Sequence, residues 1–128
     1  MIPYGFVKEV DMTMEQAEER VRGALEQEKF GVLTRIDMAA KLREKAGAEM
    51  EDYIILGACN PPNAYKAVQA EPNIGLLLPC NVIIYRSSGK TMVGVVKPSS
   101  AMSMVENESL AAVAGEVEKQ LERVFDAI

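Results

Sequence analysis

The residues best suited to chemistry gather in two short segments, Gly57-Ala58-Cys59-Asn60-Pro61 and Leu78-Pro79-Cys80-Asn81-Val82. They hold the only two cysteines of the chain, each followed by asparagine and each at the edge of an apolar run. A thiol attacks or ligates only as thiolate, so its surroundings decide its use. Cys59 precedes a helix that Asn60-Pro61-Pro62 is expected to open. Orphan N–H groups and the positive end of the helix dipole lower a thiol pKa there. Against this stands the plainer reading that Cys59 is a small buried side chain ending a strand. The chain has no histidine, so no imidazole is at hand to activate either thiol.

Cys59 and Cys80 lie too far apart in sequence for a CxxC motif, and a reversible disulfide needs their Cα atoms within about 7 Å. Two thiolates without histidine fall short of the usual zinc ligand set, so no metal is expected. No cofactor signature is found either. Gly89-Lys90-Thr91 imitates the end of a phosphate loop, but Ile84 stands where the first glycine belongs and a strand follows the lysine. Asn60 is the expected helix cap; because Pro61 and Pro62 have no N–H, its side chain must reach that of Asn63. Asn81 interrupts an apolar strand, where a buried amide must bond backbone or read a ligand. Asp37, Glu44, Glu49, Glu51 and Asp52 read as caps and solvated faces.

No catalytic residue is assigned, and enzyme activity is left open. The candidate ligand-binding set is Cys59, Asn60, Cys80 and Asn81, with basic reach from Arg35 or Lys45. Two functions fit it. One is a binding module whose pocket takes a small molecule or anion at the helix N-terminus. The other is a thiol-based redox enzyme or sensor using Cys59, with or without Cys80. A structural or assembly role without a ligand is the third reading.

The elements that must position these residues alternate between strand and helix. Tyr4 to Val10 reads as a strand, and Thr13 to Gln16 forms a capping box before an amphipathic helix of about four turns. Phe30 to Ile36 is the second strand, followed by a short helix from Met38 to Ala46, capped by Asp37 and ended by Gly47. The third strand is Tyr53 to Ala58. Glu71-Pro72-Asn73 breaks the next helix, and Ile74 to Leu78 is either extended or a buried turn. Cys80 to Tyr85 and Thr91 to Val96 form a hairpin around Ser87-Ser88-Gly89. A short helical piece near Ser100 to Val105 precedes a long final helix, for which Ser103 and Asn107 compete as cap.

This pattern predicts an α+β fold: a single, mostly antiparallel sheet with its helices packed on one face. Strands such as Ile54-Ile55-Leu56 and Val82-Ile83-Ile84 are apolar on successive positions, as if both faces were buried. A homodimer, with the partner covering the second face, is the economical expectation.

Composition narrows the rest. The 128 residues suit one domain, 1–128, and a chain of this mass buries roughly two thirds of its unfolded surface. A net charge of −5 without a basic, aromatic-interleaved cluster argues against nucleic acid. The longest apolar runs are too short to span a bilayer, so no membrane is expected. Met1 to Gly5 lacks the features of a secretory signal; a cytoplasmic location with reduced thiols follows.

Several segments together resemble the family known as domain of unknown function 302. They are Tyr4-Gly5-Phe6, Phe30-Gly31-Val32-Leu33-Thr34, Ile36-Asp37, Lys41-Leu42-Arg43-Glu44-Lys45, Ile55 to Pro61, Ala64-Tyr65 and Leu76 to Val82. The resemblance spans nearly the whole chain. It implies a small α+β fold of the TATA-binding-protein-like β-α-β4-α type, in a dimer. It implies neither a reaction nor nucleic-acid binding, because fold is not function. Arg35 stands where the family pattern leads one to expect an acidic residue.

Overall fold

Alternation, rather than the apolar runs themselves, organises the sheet. The structure is a computed structural model describing residues 2–128. In chain order it runs β1 (Gly5–Val10), α1 (Met14–Gln27), β2 (Gly31–Asp37), α2 (Met38–Ala46), β3 (Tyr53–Cys59) and α3 (Pro61–Ala70). A 3-10 turn (Pro72–Leu77), β4 (Cys80–Ser87), β5 (Lys90–Val96), α4 (Pro98–Ala101) and α5 (Glu108–Asp126) complete it. The five strands form one antiparallel sheet in the order β1-β5-β4-β3-β2. This is the α+β architecture that the strand and helix pattern predicts, with α2, α3 and α4 added to a β-α-β4-α succession.

The helix ends follow the local chemistry. Thr13 and Gln16 make both halves of the capping box. Asp37 accepts from the N–H of Ala40 at 2.9 Å, and Gly47 closes α2 in the left-handed region at φ 64. Asn107, and not Ser103, caps α5: its Oδ1 accepts from Leu110 N at 3.0 Å, while the Ser103 hydroxyl donates back to Ser100 O. The expected helical piece from Ser100 to Val105 starts earlier, at Pro98, whose fixed φ suits a first helical position. Most of Ile74 to Leu78 is not extended. As far as Leu77 it belongs to the 3-10 turn, which buries Ile74 and leaves Leu76 88% exposed; only Leu78 is extended.

Side chains at alternate positions of β3, β4 and β5 (Ile54, Leu56, Val82, Ile84, Val93, Val95) are buried under α1 and α5. From the helices, Val21, Leu25, Leu121 and Val124 complete this main core. The opposite parity turns Ile55, Ile83 and Met92 to the outer face, where each is half-buried, whereas Val96 at the end of β5 still packs against the main core. Tyr53 and Tyr85 stack there with ring centroids 5.3 Å apart. Two residues suffice to turn β4 into β5. Ser88 (φ 51) and Gly89 (φ 79) both take positive φ, the turn geometry that matches strand twist.

β3 makes a close approach at Gly57. A Cβ there would strike Thr34 Oγ1 of β2 and stand 2.7 Å from Pro79 Cγ. Gly57→Ala is therefore expected to destabilise the fold by about 1–3 kcal/mol, the usual cost of overpacking. Gly31→Ala, with no atom within 4 Å of the added methyl, is the matched control. Urea unfolding of both variants checks the contrast.

Candidate functional site

The two Cys-Asn segments meet the helices around a cavity of about 270 Å3. Ala58, Cys59 and Asn60 enter it from the end of β3, and Pro79 and Cys80 from the start of β4. Register places Ala58 directly opposite Cys80. Asn63, Ala64 and Ala67 of α3 form one wall; Leu110, Val113, Ala114 and Val117 of α5 form another. Phe30, Leu33, Leu78, Pro98 and Met102 complete the lining, which contains no charged residue. Leu33, the bulged residue between Val32 and Thr34, is 65% exposed and so stands at the mouth.

The cavity exists because the core is divided. The main core ends at Ala58, Cys80 and Val117, and a second cluster of Ala67, Ile74, Met102, Leu110 and Ala114 begins beyond it. At Ala58, Ala67 and Ala114 the facing side chains are too short to meet.

Asn60 caps α3 as its position predicts. Its Oδ1 accepts from Asn63 N at 3.3 Å, and its Nδ2 donates to Glu28 O at 3.4 Å. Nothing is left over at this helix end. Pro61 and Pro62 carry no N–H, Asn63 N is bonded to the cap, and Ala64 N donates to Asn60 O at 2.8 Å. An anion therefore finds no free backbone donor at the start of α3, contrary to the expectation for a helix N-terminus.

Of the six candidate site residues, Cys59, Asn60 and Cys80 line the cavity and three do not. Asn81 is exposed on the outer face, across from Gly57, because strand alternation turns it away from Cys80. Arg35 is held by Glu18, with Nε–Oε2 at 2.9 Å and Nη2–Oε1 at 3.1 Å. Lys45 is exposed in the last turn of α2. Asn63 was not among the candidates, yet it is buried in the cavity wall with its Nδ2 donating to Gln120 Oε1 at 3.2 Å. Its signal in the sequence was its spacing, one helical step after Asn60. Among the described residues no cluster of His, Cys, Asp or Glu could hold a metal, and no helix is long and apolar enough to cross a membrane.

The family model for domain of unknown function DUF302 matches residues 6–128. The chain belongs to this family. A crystal structure of an uncharacterized conserved DUF302 protein from Bacillus stearothermophilus superposes with a TM-score of 0.91 at 30% identity, covering 98% of each chain. No curated protein matches the sequence.

Both thiols of this DUF302 chain are free, Cys59 half-buried and Cys80 buried. Burial pushes the Cys59 thiol up, opposite to the shift expected beside a helix N-terminus, whose donors are all absent or already used. Burial, and then the neighbouring Cys59, pushes Cys80 up from 9.0 to about 11. An acid whose folded pKa lies above its unfolded one binds more protons when folded. Its stabilisation is complete below the unfolded value and lost as pH rises through the folded one. Stability is thus expected to fall between pH 9.0 and about 11, by on the order of 2 kcal/mol more in the native chain than in Cys80→Ala. Denaturant unfolding of the two proteins across that range measures the difference.

Proposed function

We propose that this chain is a homodimeric binding protein whose cavity takes a small, neutral, largely apolar molecule. The observation that carries the reading is the cavity itself, an apolar space of about 270 Å3 on which both Cys-Asn segments converge. The pocket opens past the exposed Leu33, and an apolar occupant would take its apolar lining out of water, which is favourable. A void of about 150 Å3 holds benzene, so this one suits a molecule of on the order of ten heavy atoms. The absence of charge from the lining favours a neutral ligand, since an ion there would lose its hydration without a partner.

Support for the dimer comes from the outer sheet face. Ile55, Ile83 and Met92, with the stacked Tyr53 and Tyr85, make an apolar surface suited to a second sheet. The rival reading, a thiol-based redox role, rests on both thiols lining one cavity. Their upward shifts keep them protonated near neutral pH and favour the binding reading over it.

Propylbenzene at about 100-fold above its Kd is expected to stabilise the protein by about 2–3 kcal/mol, read as a rise in Tm. Ala114→Phe fills the space from α5 and should abolish that rise while the protein stays folded. An unchanged Tm in the native protein at saturating propylbenzene rejects the cavity as a binding site. For the dimer, sedimentation at micromolar concentration should give twice the chain mass, and Ile83→Glu should give the monomer. A native chain that is monomeric throughout sinks that half of the reading.

A further inference from the structure

Asn63 is 5% exposed and lines the cavity. Its Nδ2 is engaged by Gln120, but its Oδ1 meets no partner among the described residues. Among the described residues every side-chain polar atom sealed from solvent is hydrogen-bonded, so this oxygen is not sealed, and the residue that carries it lines the cavity. The other amide in the wall has no such capacity. Asn60 spends Oδ1 on Asn63 N and Nδ2 on Glu28 O. The two thiols and the Met102 thioether are weak hydrogen-bonding groups, and the remaining lining is hydrocarbon apart from its backbone. One unpaired amide oxygen on a buried residue of an apolar, uncharged chamber is a specificity device: it anchors one polar group of an otherwise apolar molecule.

The chemistry of that group follows. The oxygen accepts and does not donate, so the ligand must bring an O–H or N–H. The Asn63–Gln120 pair joins two amides, and turning both end for end preserves their bond while presenting an N–H to the cavity instead. A hydroxyl both donates and accepts, and so serves either arrangement. A carboxylate only accepts and carries a charge that no lining residue neutralises. We propose that Asn63 selects a neutral alcohol or phenol, with its hydroxyl on the Asn63 amide and its hydrocarbon body against Ala67, Ala114 and Met102. This rests on the cavity being a ligand site, as inferred above.

Calorimetry with three matched probes, 4-propylphenol, 4-propylanisole and propylbenzene, separates the two inferences. Native protein is expected to bind the phenol about tenfold more tightly than the anisole, which lacks the donor. Asn63→Leu should weaken the phenol about tenfold and leave propylbenzene within about twofold. Should Asn63→Leu fail to fold, the phenol-to-anisole ratio of the native protein still decides. Equal affinity for phenol and anisole, with propylbenzene bound, overturns the role of Asn63 and leaves the apolar site standing. Binding of none of the three probes overturns both.

Discussion

A single amide, that of Asn60, joins three parts of this structure. It ends β3, caps α3 through Asn63 N and holds Glu28 O in the connection between α1 and β2. Asn60 is buried at 7% exposure, where an amide with both ends paired is rigid and loss of either partner leaves an orphan. Asn107 repeats the device at the other end of α3. Its Oδ1 accepts from Leu110 N at the start of α5, and its Nδ2 donates to Ala70 O at 2.8 Å. α3 is thus clamped at both ends. A helix fixed in this way resists settling onto the sheet, and the space beneath it stays open.

The same clamp explains why one apolar stripe serves two cores. Val117, Leu121 and Val124 of α5 pack on the sheet, whereas Leu110 and Ala114, one to two turns earlier, pack under α3. Around the gap β3, α3 and α5 present Ala58, Ala67 and Ala114 rather than the leucines that would close it. Relaxation normally shrinks such a void, because surrounding elements shift to recover contacts. The hydrogen bonds at both ends of α3 oppose that shift.

Charge is kept away from the cavity and spent on tying elements together. Arg35 grips Glu18 on α1, where burial would raise the carboxyl pKa but Arg35 and Arg22 outweigh it and hold it below the ordinary value. Lys8 donates to Phe125 O at 2.7 Å near the negative end of α5, and Arg123 reaches back to Glu28 at 3.0 Å. These contacts fix the edges of the helical layer. They also leave the chamber neutral and its thiols protonated, a setting for recognising shape and one hydrogen bond.

The sequence by itself determined what depends on neighbours along the chain. The Thr13–Gln16 box, the Asp37 and Asn60 caps, the Gly47 stop and the β4–β5 hairpin were all legible, because each is closed by residues within a few positions. The α+β class followed from the same periodicities. Tertiary structure decided everything that depended on distance. Cys80 and Asn81 are adjacent in sequence yet face opposite sides of the sheet, since alternation sets direction only once the buried face is known. Arg35 looked free to bind a ligand until Glu18, a helix away, claimed it. For Cys59 the sequence left an activated thiol and a small buried side chain side by side, and burial, which pushes its pKa up, favours the second. Asn63 entered the sequence reading only through its backbone N–H, as the partner of the Asn60 cap. Its unpaired oxygen became visible only where α3 and α5 enclose a space, because a cavity is a property of what several elements fail to fill and no local spacing encodes it.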